Sequence, residues 1–314
     1  MTRKILTLKG KRQKVSLPVD EVINDSYHDD PQKRFLNGVA INPYECIQLE
    51  LGSQHLSTRA IDLLTPIGMG QRGLIVAPPG SGKTTMLKHI CQAVGNAYPE
   101  IKLYALLIDE RPEEVTDFKR SVPAQVHASS TDENYDQHVR VANNLLNIAR
   151  QEAGEGHNVM IVIDSLTRLT RVHNAHGRSS GRTLSGGIDA NAMEIPRKLF
   201  GAARKIENGG SITILATILI DTGSRMDQVI FEEFKGTGNM EIVLSREAAN
   251  QRIFPALDIA KSSTRREELI LNSKDIDNVR AVRRALTSLK PVEGARKLVE
   301  LLEQYPTNAE LLHH

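Results

Sequence analysis

Apolar residues in this chain arrive in short unbroken runs, separated by longer stretches where apolar positions recur at helical spacing. The runs are LIVA (74–77), LYALLID (103–109), VMIVID (159–164), ITILATIL (212–219) and EIVL (241–244). A strand covered by helices on both faces needs apolar side chains on both sides, so it reads as a run rather than an alternation. Helix-length segments lie between the runs at about 83–97, 133–153 and 190–207. The pattern predicts a doubly wound α/β domain over residues 41–314. Beyond about residue 265 the chain turns charged and helical, and the Leu and Val positions of RKLVELLEQY predict core packing. Residues 1–40 carry mixed charge and turn formers, which predicts a short basic arm or small subdomain. No internal repeat and no low-complexity tract stands out.

Composition narrows this modestly. Hydrophobic residues at 40% and charged residues at 25% are those of an ordinary globular protein. Lys and Arg total 40 against 38 Asp and Glu, so the net charge of +2 does not mark a nucleic-acid binder, and any such contact must be local. Residues 3–14 do hold six Lys or Arg; a solvated tail and a nucleic-acid contact both fit. Aromatics at 4%, with no Trp, argue against a wide base-stacking platform. Cys46 and Cys91 lie in no metal-ligand spacing, which predicts a reducing, cytoplasmic setting. The basic start lacks the apolar run of a signal peptide, and no stretch approaches a membrane span, so no membrane partner is expected.

The strongest chemical signal is GLIVAPPGSGKTTMLKHI, a strand, a glycine-rich turn and a helix. It fits the phosphate-loop pattern G-x-x-x-x-G-K-[ST], with Ala77 in place of the first glycine. Pro79, Gly80, Ser81 and Gly82 form a turn whose backbone N–H groups can curl around phosphate oxygens. The helix start at Lys83, Thr84 and Thr85 adds its positive dipole end. Lys83 suits the β and γ phosphates of ATP, and the Thr84 hydroxyl suits Mg2+.

Phosphoryl transfer also needs a held metal and an aimed water. VMIVIDS ends a strand on Asp164, placed to position Mg2+. LLIDERPEE ends another on Asp109 and Glu110, and Glu110 is the candidate for polarising the attacking water. Either carboxylate alone has a cap or a surface ion pair as its lesser reading, and the phosphate loop beside them weakens that alternative. His173 and His176 fall three apart; loop histidines are the plainer reading than a metal pair.

Longer stretches resemble the family of bacterial transcription termination factor Rho. They are IDLLTPIGMGQRGLIVAPPGSGKT, LLIDERPEEVTDF, VIDSLTRLTR, GGIDANAM, FGAARKIENGGSITILATILIDTGSRMDQVIFEEFKGTGNMEIVLSR, RIFPALD and STRREEL. The likeness runs in order from about residue 40 to the C-terminus, and PIGMGQRGLIV is shared more loosely with catalytic subunits of rotary ATP synthases. It implies a RecA-like P-loop NTPase core with a central, mainly parallel sheet, a short N-terminal arm and a helical C-terminal region. It implies a homohexameric ring that hydrolyses ATP with Mg2+ while single-stranded RNA occupies its pore, and RNA polymerase as a further partner.

Position by position, the resemblance assigns the P-loop roles to Lys83 and Thr84 and the catalytic glutamate to Glu110, with Arg111 beside it. Asp164 becomes the metal-positioning aspartate. Arg265 becomes an arginine finger that reaches the neighbour's ATP. Phe254 becomes the adenine-stacking ring, with Arg252 close by. The pore loops fall on SSGRTLSGGIDAN, with Arg182, Thr183, Ser185, Gly186 and Gly187, and on DTGSRMD, with Thr222, Gly223, Ser224 and Arg225. The family has lysine where Arg225 stands, so the charge is kept while the bonding geometry changes.

Members of the family carry a sizeable N-terminal region with an OB-type RNA-capture domain, and the roughly 40 residues here are too few for it. A shortened, RNA-stimulated ATPase and helicase acting in transcription termination is the expectation. The alternatives are a divergent paralogue whose motor acts on single-stranded DNA or another polymer, and a ring component that binds nucleotide without turnover. Intact Lys83, Glu110, Asp164 and Arg265 speak against the last.

Overall fold

The computed structural model describes residues 30–176 and 183–313. In chain order the first half runs α1 (Pro31–Asn37), β1 (Ala40–Ile41), β2 (Cys46–Ile47), α2 (Leu56–Leu64), β3 (Ile67–Gly68), β4 (Arg72–Ala77), α3 (Lys83–Ala97), β5 (Lys102–Glu110), α4 (Pro112–Ser121), β6 (Gln125–Ser130), α5 (Tyr135–Gly154) and β7 (Asn158–Asp164). The second half runs α6 (Leu166–His176), β8 (Thr183–Leu184), β9 (Ile188–Asp189), α7 (Glu194–Phe200), β10 (Arg204–Ile206), β11 (Ser211–Leu219), α8 (Arg225–Lys235), β12 (Met240–Val243), α9 (Arg246–Asn250), β13 (Ser263–Thr264), α10 (Ile276–Thr287), α11 (Pro291–Gln304) and α12 (Asn308–His313).

The main sheet has the order β13-β12-β4-β11-β7-β5-β6. From β12 to β6 the pairings are parallel, while β13 pairs antiparallel at one edge. A short antiparallel arm, β10 then β1, leaves the start of β11.

The apolar runs follow from how successive side chains point to opposite faces of a strand. Ile75, Ala77, Leu107 and Val162 pack on one face with Leu87, Ile90 and Val94 of α3, Phe118 of α4, and Leu298 and Leu302 of α11. Their chain neighbours Leu74, Val76, Leu106, Ile108, Ile161 and Ile163 pack on the other with Leu145 and Leu146 of α5, Leu166 and Leu169 of α6, and Ile230 and Phe234 of α8. All nine residues of β11 are buried. Burying each such side chain contributes about 1.5–3 kcal/mol, so one polar replacement in a run removes a sizeable fraction of a domain's margin of about 5–15 kcal/mol.

Two boundaries differ from the sequence expectation. The helix expected over 190–207 is a 3-10 turn at Ala190–Met193 followed by α7, which stops at Phe200. The chain then forms β10 and returns into β11 through Asn208, which adopts φ 54°, Gly209 and Gly210. Such a polar, glycine-rich corner closes a hairpin, and pairing with β11 overrides the helical spacing upstream. At the C-terminal end, β13 and a 3-10 turn at Glu267–Leu269 intervene, and continuous helix begins only at Ile276. Near the N-terminal end, Pro31 opens α1 and Asp30 caps it, its Oδ1 accepting from Gln32 N at 3.0 Å. Phe35 of that helix is buried at 1% exposure within the cluster that α5 lines.

Candidate active site

The carboxyl ends of β4, β5 and β7 come together, where an open α/β sheet places its ligands. Between β4 and α3 the chain makes a turn in which Gly80 has φ 76° and Gly82 φ 94°. The left-handed region is costly for a residue with a Cβ, so the turn needs glycine at Gly82, which caps α3. No side chain caps α3, so its first N–H groups stay available to an anion. The Ser81 hydroxyl is turned inward, donating to Pro78 O at 2.7 Å, while Pro79, Gly80 and Thr85 are exposed.

Lys83, Thr84 and Asp164 form one tight polar knot. Lys83 Nζ lies 2.6 and 2.7 Å from the two Asp164 oxygens and 3.2 Å from Thr84 Oγ1. Thr84 Oγ1 donates to Asp164 Oδ2 at 3.0 Å, and Thr217 Oγ1 donates to Asp164 Oδ1 at 2.7 Å. A hydroxyl and a carboxylate side by side at a helix start are the hard oxygen donors Mg2+ prefers, so the donor set fits that ion.

Glu110 is 2% exposed, and neither carboxyl oxygen has a hydrogen-bond partner. Arg168 Nε lies 2.9 Å from Oε1 but off the hydrogen-bonding direction, so the contact is ionic. Lys83 Nζ stands 4.0 Å away. Burial pushes the Glu110 carboxyl up to about 8, helped by Glu114 and the Asp164 charge and opposed by Lys83 and Arg168. A carboxylate poised near neutrality and short of donors is suited to take a hydrogen bond from water. Arg111, at the start of α4, is 69% exposed and lies 3.9 Å from Glu114 Oε1.

Phe254 is 43% exposed, and its ring carbons lie 3.7 and 3.8 Å from where a Gly82 Cβ would stand. The ring therefore rests beside the phosphate turn. Arg252 is exposed, with φ 60°. Arg265 is not brought to this knot. Its N donates to Asn239 O at 2.9 Å, and Asn239 N donates to Arg72 O at 2.9 Å, so Arg265 is level with the start of β4. The phosphate turn follows the far end of that strand, about 17 Å away at about 3.3 Å per residue, farther than an arginine side chain reaches.

The two glycine-rich loops meet each other. A Cβ on Gly186 (φ 76°) would lie 3.0 Å from Arg225 O. Asn174 of α6 holds the first loop, its Nδ2 donating to Gly187 O at 3.2 Å and its Oδ1 accepting from Asp189 N at 2.7 Å. Thr183 lies in the β8–β9 hairpin and Ser185 in the 3-10 turn that follows, while Arg182 lies outside the described residues. In the second loop Gly223 has φ 78°, Ser224 caps α8, and Arg225 is the first residue of that helix. Thr222 Oγ1 donates to Asp227 Oδ2 at 2.5 Å, and Asp227, 1% exposed, takes a two-pronged ion pair from Arg171.

Sequence reasoning missed Arg168, Thr217 and the Arg171–Asp227 pair. Thr217 carried a usable signal, a hydroxyl inside the otherwise apolar ITILATIL. Arg168 and Arg171 stand three apart in the helix that follows Asp164, so both face the same side. His173, read as a loop residue, is in α6 and 4% exposed, with Nδ1 3.1 Å from the Tyr135 hydroxyl. The side chain of His176 lies outside the described residues.

No helix among the described residues is long and apolar enough to cross a membrane. The sheet, the phosphate turn and the paired carboxylates define a RecA-like P-loop ATPase core, and residues 57–264 match the nucleotide-binding domain of the ATP synthase alpha/beta family. Transcription termination factor Rho of Streptobacillus moniliformis is 50% identical over 272 residues, 86% of this chain and 65% of the relative. The Rho proteins of Cereibacter sphaeroides and Haemophilus influenzae are 48% and 45% identical, covering 90% and 96% of this chain and 69% and 73% of their own lengths. This chain belongs to the transcription termination factor Rho family. It spans about two thirds of the length of these relatives.

Solved structures extend the likeness to ATPases of type III secretion systems. An ATPase from the type III secretion system of pathogenic bacteria superposes with a TM-score of 0.70 at 26% identity, over 86% of this chain and 83% of that one. The assembled secretion ATPase EscN of enteropathogenic E. coli gives 0.69 at 25% identity, over 98% and 74%.

Proposed function

We propose that this chain is an RNA-stimulated ATPase motor that assembles as a ring and moves along single-stranded RNA, acting in transcription termination. The observation that carries the reading is Glu110, buried and short of hydrogen-bond donors, 4.0 Å from Lys83 and beside the strand that ends on Asp164. A carboxylate whose oxygens have no fixed hydrogen-bond donor is open to accept from a reacting water.

The phosphate turn and the start of α3 bind the phosphates of ATP, with Lys83 neutralising their charge. Thr84 and Asp164 would hold Mg2+, which supplies charge neutralisation at the transferring phosphoryl group. Glu110 orients the attacking water, and Arg168 and Lys83 steady its charge. Phe254 stacks on the base, with Arg252 beside it. Arg265 lies too far from its own phosphate turn to serve it, so it serves the site of a second copy. Such a finger is worth about 10³–10⁵ in rate. Gly186 and Arg225 abut, which supports one composite grip on RNA built from both loops, with Arg182, Arg225 and nearby hydroxyls meeting phosphate and 2′-OH groups.

ATP hydrolysis measured alone and with poly(C), poly(U) or single-stranded DNA tests this, with Lys83→Ala as the inactive control. RNA should raise turnover at least tenfold. Stimulation by DNA but not by RNA, or unchanged turnover with every polymer, would overturn the reading.

A further inference from the structure

Arg265 has a cationic neighbour that no motif singled out. Arg72, Asn239 and Arg265 lie level on three adjacent strands, β4, β12 and the end of β13. Arg265 N donates to Asn239 O, Asn239 N donates to Arg72 O, and Arg72 N donates to Asn239 Oδ1, each at 2.9 Å. Side chains level on neighbouring strands leave the same face of the sheet. The two guanidinium groups feel each other: burial, then the charges of Arg204 and Arg265, hold Arg72 below its ordinary value.

The two like charges stand two strands apart on one face, with Asn239 between them, and repel each other across that gap. Among the described residues neither arginine has an ion pair with a carboxylate. Glu241, two residues on from Asn239 and on the same face, is within Coulombic range of Arg265 and Lys235, and burial pushes its carboxyl up. Arg72 is also held in place: its Nε donates to Thr237 O at 2.5 Å and its Nη1 to Ala203 O at 3.5 Å. Its Nη2 makes no hydrogen bond among the described residues and is not enclosed.

We infer that Arg72 is a second positioning cation, acting together with Arg265 on the polyphosphate of a nucleoside triphosphate held in the phosphate turn of another copy of this chain. The inference rests on the proposed placement of Arg265 in that copy's site. Arg72, anchored to strand and carbonyls, keeps the exposed Arg265 side chain from folding back over the sheet and adds to the positive field at its tip. A planar guanidinium in place before the nucleotide arrives loses little freedom on use.

Mixing inactive variants separates a trans role from a structural one. Arg72→Gln alone should lower turnover about tenfold to a hundredfold and leave nucleotide binding at the phosphate turn unchanged, with Arg72→Lys in between. Co-assembled with Lys83→Ala, it should regain turnover severalfold above either parent, because contacts between an intact phosphate turn and an intact Arg72 face reappear. Arg265→Ala mixed with Lys83→Ala is the parallel arm. Rescue of Arg265→Ala but not of Arg72→Gln or Arg72→Lys overturns the inference and leaves the proposed function standing. Rescue in neither arm overturns the trans placement of Arg265 itself.

Discussion

His173 should make the protein acid-sensitive at a defined place. The ring is 4% exposed between α5 and α6, bonded at Nδ1 to the Tyr135 hydroxyl, with Nε2 buried and unpartnered. Burial, then the charge of His138, lowers its pKa from 6.5 to about 4. The folded protein therefore takes up this proton later than the unfolded chain does. The contribution to stability is intact above pH 6.5, falls as the pH drops below it, and is lost by about pH 4. The shift of about 2.5 units corresponds to about 3 kcal/mol in full, and between pH 7.5 and 5.5 to about 1.3 kcal/mol. Urea unfolding of the wild type and His173→Phe at both pH values measures it. The variant keeps a ring, loses the Tyr135 bond equally at both pH values, and cannot take the proton. Its stability should drop by about 1.3 kcal/mol less than the wild type's on acidification. Equal drops in both proteins would refute the buried, neutral imidazole.

Three further outcomes follow from the site. Arg168→Gln should lower turnover about tenfold to a hundredfold, about 1.4–2.7 kcal/mol of barrier, with little change in nucleotide affinity, because Glu110 loses the cation beside it; steady-state kinetics beside a fluorescent-nucleotide titration reads both. Phe254→Ala should weaken ATP binding by about tenfold while sparing maximal turnover, as a stacking contact worth about 1–1.5 kcal/mol would; the same two assays decide it. Arg225→Ala should weaken RNA binding for all sequences alike and reduce the slope of log K against log salt by about one, as loss of one phosphate contact does; filter binding at several salt concentrations checks this.

The sheet was legible because β4, β5, β7 and β11 need apolar side chains on both faces, and unbroken runs have few other meanings. β6 was not, because QVHASS lies at the edge and keeps polar positions toward water. The short helices α2 and α4 also gave no clear signal: PEEVTDFKRS buries only Val115 and Phe118. In the site, residues within a few positions of a strand end could be named from spacing, as with Lys83, Thr84, Glu110 and Asp164. Contacts made by tertiary packing could not. Nothing in the local sequence brings Phe254 to Gly82, which the loop after α9 does, or Arg72 level with Arg265, which strand register does. Arg168 falls between the cases: helix periodicity aims it backward, but only the adjacency of β5 and β7 supplies Glu110 as its target.

The edges of the sheet limit how copies of this chain associate. One edge, β13, is two residues long, and the other, β6, offers glutamine, histidine and serines. Short or polar edges are poor templates for strand addition. Copies are thereby steered away from merging their sheets into an open-ended stack, an outcome that would be hard to reverse. In the proposed ring they would meet instead through side chains across sheet ends and helices, the kind of contact that can loosen and re-form.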